Sequence, residues 1–254
     1  MPINYMRRLA GPERTAAANS QLGIALAFVA GAVNAGGLLA VGQYTSHMTG
    51  IVSSMADNLA LGFHALVPAA LGALGAFVLG AASTAVMVNF ARRRRLYSEY
   101  GLPLLAEALL LLAFGVLGAR LPQPALAAPM TVALLCYVMG LQNALVTKLS
   151  RAEIRTTHMT GIVTDIGIEL GKLAYWNRDP GQAPVAANRR RLGILCALLA
   201  SFIAGGIAGS AGFMHLGYLT TLPLAALLCV LAIVPAFDDL ARSLARARQG
   251  RRER

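Results

Sequence analysis

Six long apolar stretches constrain this chain more than any other feature of its sequence. A helix that crosses the hydrocarbon core of a bilayer needs roughly 20 mostly apolar residues. Only 13% of the residues are charged and 57% are hydrophobic, whereas soluble domains average about 25% charged residues. The sequence therefore predicts an all-α, polytopic membrane protein that forms a single membrane domain over 1–254. The six predicted transmembrane helices cover about 22–42, 65–90, 102–119, 129–147, 192–212 and 216–236.

The net charge of +11 is distributed as in a membrane protein rather than a nucleic-acid-binding protein. The Lys and Arg residues lie in short clusters between the apolar stretches, and we expect no nucleic-acid partner. With six crossings and a cytoplasmic N-terminus, 21 of the 22 Lys and Arg residues fall on the cytoplasmic side and only Arg120 on the other. This asymmetry follows the positive-inside rule. Both termini, including a basic tail over 237–254, are therefore predicted to be cytoplasmic, with membrane lipid as a partner of the basic clusters.

The hexamer HMTGIV occurs twice, at 47–52 and at 158–163. A Gly-x-x-Asn precedes each copy, GAVN at 31–34 and GLQN at 140–143, and AFVLGAAS after the first copy resembles SFIAGGIAG after the second. These matches predict two three-helix repeats, 22–119 and 129–236. A unit of three crossings has its second copy upside down, which is the inverted repeat used by many secondary transporters.

A short helix is predicted after each hexamer, because about twelve residues follow that cannot span a bilayer. Thr49 and Thr160 are the predicted N-caps, and Gly50 and Gly161 are expected to allow an unusual backbone angle. Irregular backbone at membrane depth has to be buried in protein or line a wet cavity. We therefore expect two broken or re-entrant helices whose N-termini meet near the midplane and offer N–H groups to a ligand.

The repeated polar residues are the candidate substrate site. The alternative for the histidines is a structural hydrogen bond to the loop, and for the asparagines a bond between helices. The adjacent Met48 and Met159 are expected to pack, although a His-Met pair also suits Cu(I). No metal or cofactor is predicted, since Cys136, Cys196 and Cys229 lie in apolar stretches without metal-site spacing. The candidate substrate-binding residues are His47, Thr49, Gly50, His158, Thr160, Gly161, Asn34 and Asn143.

Three acidic residues are candidates for proton coupling: Glu107, Asp57 and Asp165. An intramembrane carboxylate indicates function by default, but Glu107 is near enough to its helix end to reach the interface instead. Asp165 and Glu169 share one helix face with Lys172 three residues further on, so a solvated face stabilised by ion pairs is the alternative there.

The two M-T-G motifs, each preceded by a Gly-x-x-Asn-Ala (Gly31 to Ala35, Gly140 to Ala144), resemble the YoaK-like family over about 20–235. This family consists of six-helix bacterial membrane proteins, and the resemblance implies the inner membrane and a small-molecule permease. In that family Asn commonly follows the first M-T-G, and Asp often ends the first Gly-x-x motif. Here those positions hold Ile51 and Asn34, a difference that bears on the substrate.

These patterns favour a secondary transporter or permease for a small polar or anionic solute bound near the midplane. A channel of the same architecture is the first alternative. An intramembrane enzyme acting on a lipid or lipid-linked substrate is the second, and it would have to use His158, Asp165 and Glu169. A structural protein that keeps the repeat as an evolutionary relic is the third. We expect no enzymatic activity, and the substrate, direction, coupling ion and oligomeric state are left open.

Overall fold

The computed structural model describes residues 16–94, 96, 99–120, 124–150, 156–178 and 182–232. The predicted cytoplasmic segments at 1–15 and 237–254, and the last residues of the sixth predicted span, lie outside these ranges. All regular structure in the described residues is helical. The described residues form seven α-helices ahead of a final helical segment: α1 Ala16–Val41, α2 Met48–Ala60, α3 Val67–Arg93, α4 Gly101–Arg120, α5 Pro124–Leu149, α6 Met159–Ala174 and α7 Arg189–Leu216.

Five helical segments are long and apolar enough to cross a membrane: Ala17–Val41, His64–Arg93, Gly101–Arg120, Pro129–Leu149 and Arg189–Ala232. Large apolar side chains on the outer face of α3 are exposed, among them Leu71, Val78 and Val86. A water-soluble protein would cover such a face, but lipid tails solvate it without cost. The helices are therefore those of a multi-pass membrane protein, as the composition indicates.

The fifth of these segments has 44 residues and contains the described parts of two predicted spans. It is interrupted at Gly217, which has a φ of 57° and leads into a short 3-10 helix, Gly217–Thr220. A Cβ atom at Gly212 would meet the side chain of Thr220, although eight residues of straight helix span about 12 Å. The chain therefore turns back on itself after α7 and continues as a final helical segment at 221–232.

Five glycines lie closest to the partner backbone in the two most extensive helix contacts, α1 with α7 and α3 with α5: Gly209, which lies against Ala32, and four glycines at equivalent positions of the two repeats. At each, a Cβ atom would clash with a backbone carbonyl oxygen of the partner helix, so only glycine allows this approach. The contacts join Gly31 to Phe202, Gly205 to Phe28, Gly80 to Tyr137 and Gly140 to Phe77.

At these crossings, each helix packs on a helix of the other sequence repeat. Gly31 and Gly140 are equivalent positions in the first helix of each repeat, and Gly80 and Gly205 are equivalent in the second. The first helix of each repeat thus packs on the second helix of the other repeat. Within the described residues, neither repeat therefore forms a separate bundle.

The turn after α7 packs against α4. The rings of Phe114, Phe213 and Tyr218 contact one another, with centroid distances between 5.5 and 6.3 Å. A Cβ atom at Gly115 would meet Thr221 Oγ1. The third helix of the first repeat therefore lies beside the start of the third helix of the second repeat.

Candidate functional site

The loop before each short helix folds back into the helix bundle. The backbone N–H and the hydroxyl of Ser46 donate to Asn34 Oδ1 at 3.2 and 2.9 Å. The hydroxyl of Thr157 donates to Asn143 Oδ1 in the same way. Asn34 lies seven residues before the end of α1 at Val41, which is about 10 Å along a helix. Each loop therefore returns by about two turns, as expected for a re-entrant segment.

Both asparagines thus have a definite structural task, since each holds the loop that follows its own helix. Asn143 also donates from Nδ2 to Met139 O at 2.7 Å, and Asn34 and Asn143 are half-buried. The alternative predicted a hydrogen bond between helices, whereas these bonds join each asparagine to the loop after its own helix. Their partners, Ser46 and Thr157, were not among the predicted site residues. The signal was present, because TSHMTG and TTHMTG both keep a hydroxyl at this position.

The prediction of threonine N-caps is wrong. The N-caps are His47 and His158, whose backbone carbonyl oxygens accept from Ile51 N and Ile162 N at 3.1 Å each. Neither histidine side chain makes a capping hydrogen bond. Both short helices begin two residues earlier than predicted, because each loop already turns into its helix at His47 or His158. Thr49 and Thr160 therefore lie within the first turn.

The glycines of the motif also have a different role from the predicted one. Gly50 and Gly161 have helical backbones, since the positive-φ glycines in the described residues are Gly42, Gly62 and Gly217. The imidazole of His47 instead occupies the space that a Cβ atom of Gly50 would need. His158 does the same at Gly161, where Nδ1 would be 2.7 Å from that Cβ atom. The motif H-x-x-G thus places an imidazole flat against the first turn of its own helix.

Both short helices run from the middle of the bundle towards its ends. Met48 and Ile51, at the start of α2, pack with Ala73 of α3 and Cys136 of α5, and the helix then leads outward to the start of α3. The far part of α6 is bonded to the start of α7, where Asp165 contacts Arg191. The two N-termini therefore face the centre, and each carries N–H groups without a helical partner and a partial positive charge.

The two N-termini do not meet at one point, however, which corrects the expected convergence. Gln142 Nε2 donates to Leu26 O at 3.0 Å, so Asn143 lies at the level of Leu26. Asn34 is eight residues further along α1, or about 12 Å. α2 and α6 share no substantial contact, and each packs on the second helix of its own repeat. The site consists of two equivalent halves on two levels.

In both halves of the site, the side chains that can form hydrogen bonds with a ligand are accessible. His47, Thr49, His158 and Thr160 are all exposed, and Gly50 and Gly161 are partly so. Each half presents an imidazole, a hydroxyl and helix-terminal N–H groups, so it can donate hydrogen bonds to a polar or anionic group. Met48 and Met159 pack against neighbouring apolar side chains, as the packing interpretation predicts. Within the described residues, no three His, Cys, Asp or Glu side chains are grouped as a metal site would need.

Thr45 and Thr156, the residues before Ser46 and Thr157, were not predicted as part of the site. Both side chains are fully buried, and neither hydroxyl has a hydrogen-bond partner within the described residues. Thr45 lies against Gly37 of α1, where Oγ1 would be 3.5 Å from a glycine Cβ atom. Thr45 and Thr156 thus anchor the buried side of their loops, while His47 and His158 lie on the accessible side.

The acidic residues of α6 are bonded to the start of α7 and to Asn188, which precedes it. Asp165 Oδ2 accepts from Arg191 at 2.8 Å. Glu169 is 2% exposed and accepts from Lys172 Nζ at 2.8 Å and from the backbone N–H of Asn188 at 2.7 Å. The hydrogen bond from Lys172, followed by that from Asn188, lowers the pKa of Glu169. The predicted pairing of Glu169 with Lys172 is confirmed, and Asp165 also has a structural partner.

The other two proton-coupling candidates lie in contrasting surroundings. Asp57 is exposed on α2, and its equivalent in the second copy is Ile168. Glu107 is 0% exposed on the inner face of α4, so it does not reach the interface as the alternative interpretation supposed. The structure brings none of the three candidates into hydrogen-bond contact with the motif loops within the described residues.

Sequence comparison places this architecture in a family. The model of the family described as "Protein of unknown function (DUF1275)" matches residues 22–234, which include both motifs, both asparagines and all four crossing glycines. Neither a curated protein nor a solved structure matches the sequence. Because the match extends over most of the chain, the protein belongs to the DUF1275 family.

Proposed function

We propose that this protein is a permease for a small polar or anionic solute, which binds near the midplane between the two motif loops. One observation carries the proposal. The same accessible group of imidazole, hydroxyl and helix N-terminus occurs twice, on loops that re-enter the bundle and face its centre from two levels. The two halves lie about 12 Å apart along the bundle, so that a small solute would contact one half or pass from one to the other.

The membrane arrangement supports this proposal. Six crossings, with the N- and C-termini in the cytoplasm of a bacterium, agree with the reversal at Gly217 and with the distribution of Lys and Arg. α1 and α5 run antiparallel, since Leu26 is paired with Gln142 and Gly37 lies near Leu135. Equivalent helices of opposite direction are what an inverted repeat requires. The two halves of the site would then open towards opposite faces of the membrane.

The chemistry of the loops favours solutes that accept hydrogen bonds. The segments 45–53 and 156–164 contain His, Thr and Ser but neither Asp nor Glu. Their helix N-termini add positive electrostatic potential. A cationic solute would meet no counter-charge on these loops, whereas a carboxylate, a phosphate or a neutral polar group would find donors at both levels.

Transport is also favoured over catalysis by the placement of the acidic side chains. An enzyme would have to combine His158 with Asp165 and Glu169. Asp165 and Glu169 are instead bonded to Arg191, Lys172 and Asn188, on the part of α6 that runs away from the histidine. This arrangement holds α6 in place and keeps both carboxylates bonded to groups other than the histidine.

Flux measurements in proteoliposomes test the proposal. Purified protein is first screened for thermal stabilisation by a panel of small anions, amino acids and neutral polar solutes, and stabilising solutes are then tested for uptake. We expect His47→Ala and His158→Ala each to weaken solute binding by about tenfold, the effect of one hydrogen bond of about 1.4 kcal/mol. His64→Ala, an exposed histidine outside the motif, is the matched control. Equal flux in all three variants, or turnover of a lipid by the wild-type protein, would refute the proposal.

A further inference from the structure

Glu107 is the only Asp, Glu, Lys or Arg within the six apolar stretches of the sequence. Its side chain is 0% exposed, and neither carboxyl oxygen has a hydrogen-bond partner within the described residues. The proposed solute site does not use it. A buried carboxyl group without a donor or a counter-charge is costly in any protein and more so at membrane depth, so it requires an explanation.

The position of Glu107 along the bundle follows from contacts at the end of α4. Tyr100 Oη donates to Lys148 O at 3.2 Å, which aligns the start of α4 with the end of α5. Glu107 is seven residues further on, about 10 Å deeper, and therefore near the level of Leu141. Thr84 of α3 donates to Leu141 O at 2.9 Å. Glu107 thus lies at the level where α3 and α5 cross, well inside the bundle.

In the part of the chain that the structure describes, no Asp, Glu, Lys or Arg on the helices around α4 reaches this level. Arg92 and Arg93 of α3, and Lys148 of α5, lie at the ends of their helices, and Arg92 is paired with Glu99. Within the described residues, the remaining titratable groups on the packed elements, other than Lys and Arg, lie on α5, on α7, on the turn after α7 or on the final segment. They are Cys136, Tyr137, Cys196, His215, Tyr218 and Cys229, and of these Tyr137 donates to Ser83.

We propose that Glu107 is a proton-binding site, which holds its proton in the arrangement described here and releases it when the bundle opens around α4. The neutral acid needs no counter-charge, and the surrounding helices offer none. On opening, the carboxyl O–H bond breaks, the proton passes to a water molecule that enters, and the carboxylate that remains is hydrated. If solute movement drives this opening, the proton is the coupling ion. That last step rests on the proposed function, whereas the proton site itself does not.

Infrared spectroscopy of the protein in lipid tests the proton site without any solute. The other ten acidic residues lie in polar segments outside the six apolar stretches. We expect the carbonyl band of a protonated carboxylic acid in the wild-type protein and its complete loss in Glu107→Gln. Asp57→Asn, at an exposed position, should keep the band. Absence of the band in the folded wild-type protein, or its persistence in Glu107→Gln, would overturn the proposal.

A second measurement uses the wild-type protein alone, in case Glu107→Gln does not fold. A membrane-soluble carbodiimide reacts with a protonated carboxyl group in apolar surroundings, and peptide mass spectrometry locates the adduct. We expect labelling of Glu107 that declines as the pH is raised. No labelling of Glu107 at any pH at which the protein is folded would contradict the proposal.

Coupling is tested in proteoliposomes that contain a pH-sensitive dye and a solute shown to be transported. Solute movement should change the internal pH for the wild-type protein and for His64→Ala, whereas Glu107→Gln should exchange solute without a pH change. Wild-type flux without proton movement would refute coupling but not the proton site. Failure of every solute in the panel would refute the proposed function, and the infrared result would still decide the protonation of Glu107.

Discussion

The glycine crossings and the motif loops are both duplicated, but they are held by different forces. At the crossings of α1 with α7 and α3 with α5, backbone lies against backbone, and a methyl group at any of the four glycines would clash with a carbonyl oxygen. Each motif loop is held by the side-chain hydrogen bonds of one asparagine and by a buried threonine, with its histidine exposed.

This difference separates a rigid frame from segments that can move. Close-packed backbones have few alternative arrangements, whereas one or two hydrogen bonds contribute only about 1 kcal/mol each. The loops join the two pairs of crossed helices: the first loop is bonded to α1, and its helix packs on α3. A relative movement of the pairs would therefore be transmitted to the histidines. The predictions that follow test this separation, in order of decreasing effect on folding stability.

The largest effect is expected at the crossings. Gly31→Ala and Gly80→Ala should each destabilise the protein by about 3 kcal/mol, since the added methyl group forces two backbones apart. Thermal unfolding in detergent measures the loss. Gly72→Ala and Gly75→Ala on α3 are matched controls, because a Cβ atom at either position meets nothing within 4 Å. They should be neutral or slightly stabilising, as Ala favours a helix by about 1 kcal/mol. Equal effects at all four positions would show that the crossings are not close.

An intermediate effect is expected where the loops are fixed. Ser46→Ala and Thr157→Val each remove the hydroxyl that donates to an asparagine and should cost about 1 kcal/mol. Ser53→Ala, on the exposed surface of α2, is the control and should be close to neutral. The loss should be accompanied by faster amide exchange at 43–47 or 156–158. A loss of stability as large as that of Gly31→Ala would show that the loops are as rigid as the helix crossings.

A local, pH-dependent effect is expected for the second loop only, because Glu169 and Asp165 fasten α6 and no ion pair fastens α2 within the described residues. The folded-state pKa of Glu169 is lowered from its ordinary value of 4.5. Its contribution is therefore complete above about pH 4.5 and is lost as the pH falls through the lower folded value. Amide exchange at Asn188 should accelerate on acidification in the wild-type protein. In Glu169→Gln it should already be fast at neutral pH, and an unchanged rate would contradict the role of this bond.

The smallest effect on stability is expected for Gly50→Ala and Gly161→Ala. The added methyl group meets only the imidazole of His47 or His158, which can rotate away. The unfolding temperature should therefore change little, while solute binding should weaken about as much as in the histidine variants. Normal binding by Gly50→Ala and Gly161→Ala would show that the position of the ring against the helix is not used.

Sequence patterns predicted some features of this site and missed others. The duplicated hexamer correctly indicated a short helix at each copy, since a repeat and a chain length are visible in any sequence. The N-caps were misplaced by two residues, from His47 to Thr49 and from His158 to Thr160. Cap preferences favour threonine, and the hydrogen bond from Ser46 to Asn34 that sets the turn joins residues twelve positions apart. The contact of Asp165 with Arg191 is also non-local, and no pattern pointed to it.

The sequence by itself determined that the chain is helical and lies in a membrane, because hydropathy and the placement of charges act residue by residue along the chain. It also determined that each motif has a counterpart in the other half. Only the tertiary structure decided that equivalent helices exchange partners at four glycines, that the two helix N-termini lie on separate levels, and that Glu107 is enclosed rather than at the interface. These features depend on which helices pack together, and packing partners are selected by the three-dimensional fit of surfaces that are distant in the sequence.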